Sequence, residues 1–133
     1  MNLVYLHTNK VNGKKILSFQ NDSILLKGGI DQFLKYDYIG APWVKPKEGY
    51  FVGNGGLSLR NIDKMIKICT KNDNKSDIEM EDIFFVKNLK GEGVADIETA
   101  YNFSMEDIFS EHAMGLHNPI KIDPNLLEKV LLF

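Results

Sequence analysis

Tyr50-Phe51-Val52-Gly53-Asn54-Gly55-Gly56-Leu57-Ser58-Leu59-Arg60 is the stretch on which the reading of the fold turns. Residues 57–60 alternate apolar and polar side chains, as a half-buried strand does. Before them, three glycines surround Asn54. Such a block suits a plain turn, or a segment whose backbone approaches a ligand closely while the Asn54 amide exchanges hydrogen bonds with sugar hydroxyls. It lacks the spacing of a GxGxxG or P-loop nucleotide cradle. Upstream, residues 36–39 read as a strand ended by Gly40-Ala41-Pro42. Residues 43–49 read as a loop, because Pro42 and Pro46 impose extended backbone on the residues before them. That loop holds Trp43, the single tryptophan, either a platform for a sugar ring or a cap on the core. Residues 15–20 read as a short strand stopped by the turn-forming Asn21-Asp22-Ser23, and residues 30–35 as a brief helix after Gly28-Gly29.

Downstream, Ile62, Met65, Ile66 and Cys69 fall at i, i+3, i+4 and i+7, an amphipathic helix lying on a core. Ser76-Asp77-Ile78-Glu79 matches a capping box and predicts a helix from there to about Leu89. Asp123-Pro124 opens a last helix with Leu126, Leu127, Val130 and Leu131 on its apolar face. Strands interleaved with helices predict an α/β domain with a mixed sheet flanked by helices. The 133 residues contain no repeat or linker, so one domain, 1–133, is expected.

With 44% hydrophobic and 26% charged residues, disorder is excluded as the main state. A net charge of -2 argues against a broad surface for a nucleic-acid backbone. No apolar run approaches the roughly 20 residues that cross a bilayer, and Leu3-Val4-Tyr5-Leu6 is too short for a signal-peptide core. One cysteine, Cys69, excludes an internal disulfide and a multi-thiolate zinc site, so a reducing, cytoplasmic setting is expected. Among 16 basic residues only Arg60 is an arginine, which singles it out.

Several side chains could carry chemistry. Asp82 lies four residues from Ile78, three from Phe85, four from Val86 and seven from Leu89, inside an apolar stripe. Burial disfavours the charged form of a carboxylate and suits a general base. Glu81 sits about 100° further round, nearer the stripe's edge. Both residues also favour a helix N-terminus through the macrodipole, a purely structural role. Asp22, at a strand end where open α/β sheets bind ligands, offers one hard oxygen to Mg²⁺ or Mn²⁺. His117, in a loop shaped by Gly115 and Pro119, is an acceptable ligand for Mn²⁺; standing alone, a structural histidine is the commoner case.

Taken in order, Phe19-Gln20-Asn21-Asp22-Ser23, Tyr36-Asp37-Tyr38-Ile39-Gly40-Ala41-Pro42-Trp43, Gly53-Asn54-Gly55-Gly56-Leu57-Ser58-Leu59-Arg60, Glu81-Asp82-Ile83-Phe84-Phe85 and Gly115-Leu116-His117 resemble a family of predicted glycosyltransferases. That family looks like the GT-A type and occurs in microbes and large DNA viruses; the likeness covers about residues 15–120. It implies a GT-A-like partial domain that binds a nucleotide-sugar donor and a glycan or other hydroxyl acceptor. Gln20-Asn21-Asp22 matches the DxD-type motif, with Gln20 in the first acidic place. Asp22 would hold Mn²⁺ or Mg²⁺, and His117 matches the late histidine that completes such a site. Glu81-Asp82 matches the acidic pair near the acceptor. Trp43, Asn54, Gly55, Gly56, Asp37 and Arg60 are the substrate-binding candidates of the matching blocks.

On this likeness Asp82 takes the acceptor proton in an inverting transfer, with Glu81 as the competing base. Little chain precedes the metal motif, so the resemblance implies the metal and acceptor side with the nucleotide-binding half largely missing. Exposed apolar surface is then expected, with self-association or a separate N-terminal partner. Two other functions stay open. One is a truncated, non-catalytic module binding a glycan or a protein; the other, a metal-dependent phosphohydrolase, normally needs more converging carboxylates.

Overall fold

The computed structural model describes residues 14–72 and 79–131. Strands β1 (Lys15–Phe19), β3 (Tyr38–Lys47) and β4 (Tyr50–Asn61) form an antiparallel sheet in the order β1-β4-β3. Strands β2 (Ser23–Leu25), β5 (Ser104–Met105) and β6 (Gly115–His117) form a second sheet, ordered β2-β6-β5, with β2–β6 antiparallel and β5–β6 parallel. Helices α1 (Ile62–Lys71), α2 (Glu81–Leu89), α3 (Ile97–Phe103) and α4 (Pro124–Leu131) complete an α/β fold, with a 3-10 turn at Ile30–Phe33 and another at Pro119–Lys121. Two three-stranded sheets therefore replace the single mixed sheet expected; only the second is mixed.

Alternation along β3 and β4 decides what each face of the first sheet meets. Tyr38 packs with Met65, Ile68, Phe85, Val86 and Leu89, the inner faces of α1 and α2. Ile39, Leu57 and Leu59 point the other way, to Phe33, Phe103 and Met114. Ser58 and Arg60 alternate with those leucines, so they emerge on the side of α1 and α2. A third cluster, Met105, Ala113, Leu116 and Ile122, seats Leu126, Leu127 and Val130 of α4 against the second sheet. The amphipathic helix after Asn61 and the last helix after Asp123 form where expected.

Three expectations are corrected. Gly40-Ala41-Pro42 does not end a strand, and 43–49 is not a loop: β3 runs through both prolines to Lys47 before a hairpin turn at Glu48 (φ 52°) and Gly49 (φ 84°). β3 is an edge strand, where a residue without an N–H leaves no ladder bond unmade on its outer side. Gly53-Asn54-Gly55-Gly56 is no turn either; it lies within the 12-residue β4. Of the capping box, residues 76–78 lie outside the described residues; the helix begins at Glu81, with Met80 in extended conformation at its N-cap. Helix α3 and strands β5 and β6 are elements that periodicity did not reveal. Phe19 and Leu25 stand exposed on β1 and β2. No described helix is long and apolar enough to cross a membrane.

Candidate functional site

The glycine block creates the site by departing from the ladder. Gly40 pairs with Ser58, but the next residue, Ala41, pairs with Asn54, so Gly55, Gly56 and Leu57 of β4 bulge away from β3. The N–H groups of the two glycines turn to side chains. Asp82 Oδ2 accepts from the Gly55 N–H at 3.1 Å, and Asn54 Oδ1 from the Gly56 N–H at 3.1 Å. A Cβ on Gly55 would lie 2.9 Å from the Asp82 Cβ, and one on Gly56 would overlap the His117 ring. At Gly53, φ is +149° and a Cβ would collide with Val86 and Trp43. Without a Cβ, these glycines let the Trp43, Val86, Asp82 and His117 side chains lie directly on the backbone.

Above this floor opens a cleft of about 380 Å³, lined among others by Trp43, Asn54, Glu81, Asp82, Glu106 and His117. At one end, α2 presents its acidic first turn. Asp82 is 9% exposed, and its Oδ1 accepts from the Ile83 N–H at 2.8 Å. Glu81 is paired with Arg60 Nη1. Arg60 is 2% exposed, its guanidinium 5.1 Å from the Tyr38 ring centre and 5.5 Å from that of Phe85, with Nε donating to Ser58 Oγ at 2.9 Å. It lies beneath the cleft and fixes Glu81 rather than lining the hollow. Tyr38 donates to the Gly53 carbonyl at 2.9 Å; burial pushes its phenol above the usual range, with the Asp82 charge adding to the rise and Arg60 opposing it.

At the other end, the second sheet sets three residues side by side. Ser23 pairs with His117 across β2–β6, and the turn before Ser23 brings Asp22 against the ring. Met105 pairs with Leu116 across the parallel β5–β6, so the next residue, Glu106, flanks His117 on its other side. Nε2 lies 3.1 Å from Asp22 Oδ1 and Nδ1 3.2 Å from Glu106 Oε1, yet both nitrogens are buried and neither makes an aligned hydrogen bond. Glu106 Oε1 accepts from Lys121 Nζ at 2.8 Å, and that bond holds the lysine charged, above its ordinary range.

Two donors each about 2.1 Å from one octahedral ion, at right angles, stand about 3.0 Å apart, so Asp22 and His117 fit a divalent cation as a pair. Among the described residues no group of three or more His, Cys, Asp or Glu is arranged to hold a metal ion.

The family described as protein of unknown function, DUF5672, matches residues 5–118. The chain belongs to this family. No curated protein and no solved structure matches it. The family match spans every site residue named from the sequence, and it ends before Lys121.

Trp43, Asn54, Gly55, Gly56, Glu81, Asp82 and His117 come together around the cleft; Asp22 is not among the residues that line it but lies against the His117 ring. Asp37 does not join them. It accepts from Asn61 Nδ2 at 2.9 Å and lies against Gly93, bracing the start of β3. Glu106, Lys47 and Lys121 line the cleft and were not singled out from the sequence. The signal for Glu106 resembled that for Asp22, an acid just past a strand end, but a two-residue strand has no pattern to read.

Proposed function

We propose that this chain is a GT-A-like glycosyltransferase domain that transfers a sugar from a nucleotide-sugar donor to an acceptor hydroxyl. The observation that supports this reading is that Asp82 and His117, from the middle and the end of the chain, line one cleft floored by bulged glycines, with Asp22, from its first third, against the His117 ring. Asp22 Oδ1 and His117 Nε2 would hold Mn²⁺ or Mg²⁺, whose chemistry when bound is to neutralise the charge of the departing diphosphate.

Asp82 is the base. Its two oxygens each accept one backbone N–H, which fixes the carboxylate while leaving lone pairs for an acceptor hydroxyl. The hydroxyl oxygen bonds to the anomeric carbon, the bond from that carbon to the diphosphate oxygen breaks, and the proton passes to Asp82, inverting the centre. Glu81 is committed to Arg60 and positions the helix start.

Calorimetric titration with Mn²⁺ and a panel of nucleotide-sugars tests the reading. Metal-linked donor binding is expected; no donor binding, with and without Mn²⁺, overturns it. Asp82→Asn should lower transfer by about a thousandfold with folding intact. A larger loss in Glu81→Gln would transfer the base role to Glu81. Glycan binding without turnover would favour a non-catalytic module.

A further inference from the structure

The cleft adjoins a second hollow of about 510 Å³, lined by Val44 and Lys45 and by Trp43, Lys47, Asp107 and Lys121, which the two share. Lys45 and Lys47 stand at the outer end of β3, where the ladder to β4 is irregular between Pro42 and Lys47. The three lysines differ in their commitments. Lys121 Nζ donates to Glu106 at 2.8 Å and to Asp107 at 3.0 Å. Lys47 Nζ stands 5.1 Å over the Trp43 ring, a contact with the indole face that leaves its three N–H donors unspent. No carboxylate of the described residues lies within ion-pair distance of Lys45 or Lys47. Lysine and proline on an edge strand also discourage pairing with another chain. Edge protection explains the charge; it does not explain a hollow walled by the single tryptophan and open beside the base-bearing cleft.

We propose that this hollow binds the anionic substituent of a saccharide, a phosphate, sulfate or carboxylate, and that the acceptor is therefore an acidic sugar. The word acceptor rests on the glycosyl-transfer reading; the preference for an anion does not. Lys45 and Lys47 supply the charge, and Trp43 links the anion's seat to the cleft where Asp82 waits for a hydroxyl.

Because Trp43 is the single tryptophan, its fluorescence reports on the wall that the hollow and the cleft share. The full chain, free of added metal, is titrated with glucose 6-phosphate, glucose 6-sulfate and glucuronate, and with glucose and inorganic phosphate as controls. At least one acidic sugar should shift the emission and saturate, and the three arms show which anion is preferred. Its affinity should exceed that of glucose and of phosphate. It should fall about tenfold in the K45Q/K47Q double variant, which lacks the two charges that line the hollow without a carboxylate partner. Circular dichroism checks that the variant folds. Equal binding of glucose, or no loss in the double variant, overturns the proposal. So does displacement of the acidic sugar by UDP, which would assign the lysines to the donor. Donor binding without acidic-sugar binding sinks this proposal alone; the reverse sinks the glycosyl-transfer reading and leaves the anion site standing.

Discussion

The two acidic ends of the cleft are built on opposite plans. At the α2 end most of the charge is met by the protein itself: Glu81 by Arg60, Asp82 by two backbone N–H groups, and Arg60 by Glu81, Ser58 and two aromatic rings, with only its Nη2 buried and unpartnered. At the β6 end the His117 ring lies between two carboxylates with both nitrogens unbonded, and Glu106 Oε2 is buried without a partner. Buried polar groups are normally satisfied, because leaving one unmade costs about 1–3 kcal/mol. A satisfied end is a positioning device whose groups are held still. An unsatisfied end stores a cost that a ligand can relieve, and substitutions should separate the two.

The largest effect is expected at Arg60. Arg60→Ala empties the space between Tyr38 and Phe85 and strips Glu81 of its partner, and should cost about 3 kcal/mol in chemical denaturation. Glu81 is 39% exposed, so water softens the loss of the pair; most of the cost is packing. If Arg60→Ala costs under about 1 kcal/mol, the α2 end is not braced as described. Next comes Gly56→Ala, whose methyl overlaps the His117 ring and must push it aside. Overpacking of this kind costs about 2 kcal/mol, and calorimetry should show Mn²⁺ affinity falling with it.

These substitutions also show what could be read from residue order. The stripe that carries Asp82, the helix after Asn61 and the Asp123-Pro124 start are local patterns, and each holds in the structure. The glycine block left a turn and a close backbone approach equally open because its meaning is tertiary: a glycine that makes room for His117, far along the chain, looks the same in sequence as one that turns. Pro42 and Pro46 mislead for a related reason, since only the sheet order reveals β3 as an edge. Asp22, Asp82 and His117 were legible as separate acids and a histidine; the contact of Asp22 with His117, and Glu106 between His117 and Lys121, depends on the registers of β2 and β5 against β6.

An exposed carboxylate away from the cleft calibrates the satisfied end. Asp96 caps α3, accepting from the Thr99 N–H at 2.8 Å, and that bond holds its carboxyl below the ordinary range. Asp96→Ala should cost about 1 kcal/mol at neutral pH. A folded-state pKa below the unfolded one gives stability that is present above the unfolded value and lost as pH falls through the folded value. The gap between wild type and variant in denaturant midpoint should therefore hold from pH 7 down to about 4 and narrow below it. A gap that is unchanged at pH 2 would mean the cap acts through the neutral side chain.

The smallest stability effect should come from the residue closest to the proposed chemistry. His117→Gln removes a buried ring that makes no aligned hydrogen bond, so folding loses less than the roughly 0.5 kcal/mol of a weak one. The same variant should lose Mn²⁺ binding altogether, since Asp22 alone is a single, 45% exposed carboxylate. Stability and metal binding are read on one sample, by denaturation and calorimetry. A loss as large as that of Arg60→Ala would show that His117 is a strut, and the two ends of the cleft would then be alike. Intact folding with metal binding abolished would set them apart, because a group that contributes little to the fold and everything to the ligand is held in place for the ligand.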